Sequence, residues 1–257
     1  MNKAILLLFL IWGAYVVAVE EEKIAVDHSS WNTQLQAYLK AGQVDYSAWK
    51  KEEAVLDSYL NDMAALDDKK MAKNDRLALY INLYNAWTVK LILKNWNKKI
   101  KSIKDIPNRW STALVRLKGR NISLEDLEND ILRKEFKDSR IHFAINCASI
   151  GCPDLWNKAY SAKGIEEELN DARTRFFDNS IKGVMVSKEK GTFYGENYIL
   201  RISKIFSWFD KDFEDESKTV LDYVEQHGNK TQKVFIKKYK DDIDIEYFDY
   251  DWKLNGR

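Results

Sequence analysis

Apolar residues along this chain recur mainly at helical spacing, with a few short alternating stretches between. Trp31, Leu35 and Tyr38 fall on one helical face from Trp31 to Leu39, and Gly42 ends it. Val44-Asp45-Tyr46 reads as a short extended piece. Ser47 then caps a helix to about Leu66, with Leu56, Leu60 and Met63 as its buried stripe. The strongest periodicity runs from Asn74 to Asn95, where Leu77, Tyr80, Ile81, Tyr84, Thr88, Leu91 and Ile92 share an arc and Leu79, Leu83 and Trp87 widen it. A helix apolar on most sides belongs at the centre of the fold.

Further on, Ala113–Leu117 and Asn121–Leu124 predict a hairpin around Lys118-Gly119-Arg120. Ser123 opens a helix with Asp126 as its capping-box partner. Ile141, Phe143 and Ile145 alternate with His142, Ala144 and Asn146, which predicts a half-buried strand. Ile165 to Phe177 is helical. A second hairpin is expected from Val184–Val186 and Thr192–Tyr194 around residues 188–191, followed by a strand at Tyr198–Ile202. Lys204–Phe213 is a short amphipathic helix, and helices near Val220–Glu225 and Thr231–Tyr239 follow. The acidic tail Asp241–Asp251 reads as a solvated face.

Two polar groups interrupt the apolar surfaces. Asn85 lies at the edge of the arc of the long helix, three residues from Asn82. A buried amide needs partners, so Asn85 either ties down a loop or lines a site. Turning about 100° per residue places Glu128 between Leu124 and Leu132, inside the apolar stripe. A carboxylate there needs a partner: an arginine, or a histidine that it orients.

The chain has 257 residues, ten glycines and two prolines, which leaves little room for linkers. With 41 basic and 40 acidic residues the net charge is +1, which gives no reason to expect a nucleic-acid partner. Lys3 followed by the apolar run Ala4–Ala18, with Val16 and Ala18 before Glu20-Glu21-Glu22, predicts a signal peptide over residues 1–18. An uncleaved anchor is the alternative reading. The mature chain, 19–257, is then expected to be one secreted or periplasmic globular domain with no membrane span. Its predicted class is α+β: predominantly helical, with a small, mostly antiparallel sheet.

The chemistry concentrates between Arg140 and Asp154, which hold both cysteines and one of three histidines. On a strand Cys147 would lie about 16 Å from His142, at ~3.3 Å per residue, whereas the Ser149-Ile150-Gly151 turn lets Cys152 return. A neighbouring imidazole holds a thiol as the reactive thiolate, and a carboxylate behind the ring fixes its tautomer. Cys152 as nucleophile, His142 as base and Glu128 as orienter form one reading. Asn85, Asn146 and Ser149 are then candidate binding residues, with backbone amides of the turn binding an oxyanion. Oxidised cysteines pair, however, and a Cys147–Cys152 disulfide would remove the nucleophile. Zinc through His142, Cys147 and Cys152 would have only three ligands at unfamiliar spacing, so no metal and no cofactor is expected. Other nucleophile and nucleotide motifs are absent from the sequence.

The segments Leu77-Ala-Leu-Tyr-Ile-Asn-Leu-Tyr-Asn-Ala-Trp-Thr88 and Ile141-His-Phe-Ala-Ile-Asn-Cys-Ala-Ser-Ile-Gly-Cys-Pro153 resemble the domain of unknown function 547 family. Weaker likeness extends from Trp31 to Phe213, with a core at 70–213. The resemblance implies an exported bacterial protein of no settled activity, in which the positions of His142, Cys152 and Pro153 recur and that of Cys147 varies. The family's Glu-His pair is Glu128-Asn129 here. A further likeness to papain-like and transglutaminase-like thiol enzymes is a fold-level analogy. Two functions follow as expectations. One is a thiol hydrolase or acyltransferase acting on a peptide or small amide. The other is a non-catalytic envelope binding or scaffold protein with a bridged loop.

Overall fold

The computed structural model describes residues 26–191 and 195–257. The expected signal peptide and the expected strand at Thr192–Tyr194 lie outside them. Helix α1 (Ser29–Tyr38) leads into a two-stranded turn, β1 (Leu39–Lys40) and β2 (Gln43–Val44). The single helix expected from Ser47 to Leu66 is two, α2 (Tyr46–Lys51) and α3 (Glu53–Ala65). The cap is Asp45 rather than Ser47: its carboxylate accepts the Ala48 N–H at 3.0 Å.

Helix α4 (Lys73–Asn95) is the axis of the molecule. From Leu77 to Leu93 every residue except Lys90 is buried. It packs against α2, α3 and the segment after the next hairpin, β3 (Val115–Leu117) and β4 (Arg120–Ile122). Gly119 turns that hairpin with φ of 75°, a conformation that side chains disfavour. Ser123 and Asp126 form the expected capping box at α5 (Leu124–Asp126), which continues as a π-helix over Leu127–Phe136. Its i→i+5 ladder puts residues five apart on successive turns, and such widened helices recur at functional sites. Glu128 and Arg133 are one such pair.

The expected strand at Ile141–Asn146 is a correction. Residues Ile141–Ala144 form one helical turn, α6. All six residues of that stretch are buried, so its alternation had no solvent-facing side to mark a strand. Helix α7 (Ile165–Phe177) follows as expected. The second hairpin is longer than expected. β5 (Val184–Lys190) pairs antiparallel with β6 (Glu196–Ile202), so Lys188, Glu189 and Lys190 are strand rather than turn. The expected helix 204–213 divides at Phe209 into α8 (Ile205–Trp208) and α9 (Asp210–Glu214). Helices α10 (Val220–His227) and α11 (Lys230–Tyr239) match their expected places. The acidic tail is exposed in large part, yet it forms β7 (Ile243–Tyr247), parallel to β6. The fold is α+β, mostly helical with small sheets that are largely antiparallel. No helix among the described residues is long and apolar enough to cross a membrane.

Buried apolar side chains form two clusters. The first surrounds α4 and includes α1–α3, β3 and the π-helix. The second joins the end of α7 to β5, β6 and α8–α10, with Phe206 and Phe213 at its middle. Helix α6 straddles them: Ile141 and Ala144 belong to the first, Phe143 to the second. Phe143 stacks on Phe176 and Phe213 with ring centroids 5.4 and 5.8 Å apart. This straddling holds His142, which lies between Ile141 and Phe143, at the seam.

The centrality of α4 sets a stability expectation. Leu83→Ala, at a site with no exposure, should cost about 2–5 kcal/mol in urea unfolding. Val234→Ala, at a residue 60% exposed, should stay within about 0.5 kcal/mol. Equal effects would contradict the placement of α4.

Candidate functional site

Asparagines on α4 position the chemistry-bearing loop. Asn85 Nδ2 donates to the Ala144 carbonyl at 3.0 Å, and its Oδ1 accepts the Asn146 N–H at 2.8 Å. It thus grips the backbone on both sides of Ile145. Asn82 grips Tyr160 in the same way, through its N–H and its carbonyl. Asn146 extends the clamp: Nδ2 donates to the Pro153 carbonyl at 2.7 Å and Oδ1 accepts the Ala148 N–H at 2.8 Å. That second bond holds Ala148 in the left-handed region, at φ of 60°. Asn255 Nδ2 donates to Asn146 Oδ1 as well, and Tyr46 donates to Asn255. Asn85, Asn146 and Ser149 were candidates for binding, yet none of them lines the cavity described next. They build the loop.

A cavity of about 230 Å³ opens at the seam between the two apolar clusters. Tyr84, Trp110, Ile145 and Trp252 come from the first side, and Ile205, Phe209 and Tyr250 from the second. Glu128, His142, Cys147 and Cys152 share its wall. The residues expected to act together, separated by up to 24 positions between Glu128 and Cys152, therefore meet at one place.

Their pairing differs from the expectation. The acid at His142 is Asp212, with Nε2 and Oδ2 2.7 Å apart, not Glu128. A carboxylate only accepts, so Nε2 carries the proton and Nδ1 is the basic nitrogen of the neutral ring. Nδ1 makes no hydrogen bond among the described residues. Phe209 stacks on the imidazole at 4.1 Å and fixes its plane. Arg133 grips Asp212 from the other side, Nε to Oδ2 at 2.6 Å and Nη2 to Oδ1 at 3.0 Å. Partial burial alone would raise the Asp212 carboxyl; hydrogen bonds from His142 and Arg133 outweigh it and hold the group well below the usual carboxylate range.

Glu128 instead accepts the Tyr84 hydroxyl at 2.9 Å. Burial pushes its carboxyl up, against the opposing pull of His142, Tyr84 and Arg133. Its place in the apolar stripe follows from facing the cavity rather than from bracing the histidine.

Cys147 and Cys152 stand at disulfide distance, with Cα atoms 6.2 Å apart. Cys152 Sγ also accepts the Cys147 N–H at 2.9 Å and the Tyr250 hydroxyl at 3.1 Å. Three of the turn amides expected to bind an oxyanion are otherwise engaged. Ile150 N–H bonds Lys253, Gly151 N–H bonds Asp251, and Cys152 N–H bonds Ser149. Gly151 allows a close approach of the tail, because a Cβ there would sit 3.0 Å from the Asp251 nitrogen and the Tyr250 ring. Among the described residues no group of three or more His, Cys, Asp or Glu is placed to hold a metal ion.

Asp212, Tyr250, Trp208 and Trp252 escaped the sequence reading. The break at Phe209 turns Asp212 inward, and β7 returns the acidic tail to the loop.

Asp212 makes a pH-dependent contribution to stability. Its folded pKa is depressed, so the contribution is complete above the unfolded value of about 3.9 and is lost as pH falls through the folded value. Asp212→Asn should destabilise by about 2 kcal/mol at neutral pH, and the gap should narrow below about pH 4. A gap unchanged down to acid pH, read by denaturant unfolding, would contradict the pairing.

Comparison with curated proteins and with solved structures returns no match. Residues 69–177 match the family model described as Protein of unknown function, DUF547. That span holds Asn85, Glu128, His142 and both cysteines, whereas Asp212 and Tyr250 lie beyond it. Over residues 69–177, therefore, the chain is similar to the domain of unknown function 547 family.

Proposed function

We propose that the cavity is the active site of an exported thiol hydrolase or acyltransferase acting on a peptide or amide bond, and that the Cys147–Cys152 pair is its masked form. The observation that carries this reading is the shared wall: Cys152 and an Asp212-braced His142 border one cavity. A dithiol reductant opens the bridge, giving two thiols and leaving its own disulfide. His142 Nδ1 then takes the Cys152 proton, and Asp212 stabilises the resulting imidazolium. The Cys147 N–H and Tyr250 O–H, already aimed at Cys152 Sγ, favour the thiolate. Burial pushes the Tyr250 hydroxyl up, so it stays a donor. The thiolate adds to the amide carbonyl, His142 returns its proton to the leaving amine, and water or a second amine takes the acyl group. Export fits a cysteine pair suited to an oxidising space.

A second reading is a non-catalytic envelope binding or scaffold protein whose loop is permanently bridged. The disulfide spacing of the two cysteines favours it. One experiment separates the two. In Cys147→Ala, without reductant, Cys152 should react with iodoacetamide about tenfold faster at pH 6 than a simple thiol does. Adding His142→Ala should remove that advantage. Labelling of Cys147→Ala at the rate of a simple thiol, indifferent to His142, leaves the binding reading.

A further inference from the structure

We infer that the cavity selects a substrate carrying a protonated amine, seated between its aromatic walls and Glu128. The inference rests on the reading of this cavity as the active site. Six aromatic side chains line it: Tyr84, Trp110, Trp208, Phe209, Tyr250 and Trp252. Three form a corner, with Trp208–Tyr250, Tyr250–Trp252 and Trp208–Trp252 centroids 4.8, 4.6 and 5.8 Å apart. Ring faces attract organic cations, and desolvation strengthens the attraction.

Charge on the wall has one sign. Glu125 and Glu128 line the cavity, and no lysine or arginine does. Arg133, which neighbours Glu128 on the π-helix, is engaged by Asp212 and by Asn129 at 2.7 Å. Lys104 lies 3.9 Å over the Trp252 ring but is not part of the wall. Glu128 accepts one hydrogen bond, at Oε2 from Tyr84, and Oε1 has no donor among the described residues. A half-buried carboxylate with no cation bonded to it is costly, and burial raises this one against the pull of His142 and Arg133. An ammonium group would donate to Oε1 and rest on the rings. The volume, about 230 Å³, admits a small aliphatic ammonium but not a drug-sized molecule. Cys152 and His142 border the same space, so the amide to be cleaved lies a short chain away from that ammonium.

The test is calorimetric titration of the whole, bridged protein with δ-aminovaleramide and with hexanamide, which replaces the ammonium by a methyl group. The amine should bind at least about tenfold more tightly, and Glu128→Gln should abolish the preference. Equal binding of the two amides, binding of neither, or a preference that survives Glu128→Gln overturns the inference. The comparison between ligands needs no variant, so it holds even where Glu128→Gln fails to fold. Bridged protein has no thiol nucleophile. Failure here alongside fast labelling of Cys147→Ala removes only the ammonium preference, and the reverse pattern removes only the thiol chemistry.

Discussion

The structure turns on one buried amide. Asn85 satisfies a carbonyl and an N–H that flank Ile145, at a point where α6 has ended and no other backbone ladder is available. Buried backbone groups without partners cost about 1–3 kcal/mol each, so the loop has a strong reason to lie where Asn85 is. Asn146 repeats the device one step further, closing the loop from Ala148 to Pro153. Both cysteines inherit their positions from these two side chains. Hydrophobic packing provides the bulk of the stability, but it is non-directional. Directional amide bonds decide which atoms reach the cavity.

A site on a seam follows from the same arrangement. The α4 cluster presents Tyr84 and, through the π-helix, Glu128. The second cluster presents Phe209 and Asp212 at a break between two short helices. Helix α6 is common to both, and His142 sits on it between the two acids. One acid is tied to the ring and to Arg133 and stays ionised. The other faces the cavity beside a phenol and is raised by burial. Neighbouring carboxylates whose surroundings drive them apart are suited to different tasks, one bracing a base and one meeting a ligand.

Long periodic helices were legible in the sequence. The arc of α4, the capping box at Ser123 and the span of α7 each reflect local spacing that tertiary contacts did not override. Glu128, His142 and Cys152 line one cavity, and each stood out in the sequence as a residue in an apolar stripe or in a loop of small residues. The acid bound to the histidine did not. Glu128 and Asp212 are both plausible by residue type, and only the packing of Phe209 and Phe213 against α6 selects Asp212. Alternation at Ile141–Asn146 misled, since full burial removes the contrast that period-two reading depends on. Tyr250 and Trp252 were hidden in an acidic tail whose return depends on pairing with β6, far away in sequence.

Amide hydrogen exchange at Asn146 in Asn85→Leu tests the central claim most directly. The account predicts that Asn146 N–H loses protection by about tenfold or more relative to the amides of α4, because its acceptor is gone while the helix remains packed. Protection at Asn146 that changes only in step with α4, or not at all, would show that the loop is held by something other than this amide.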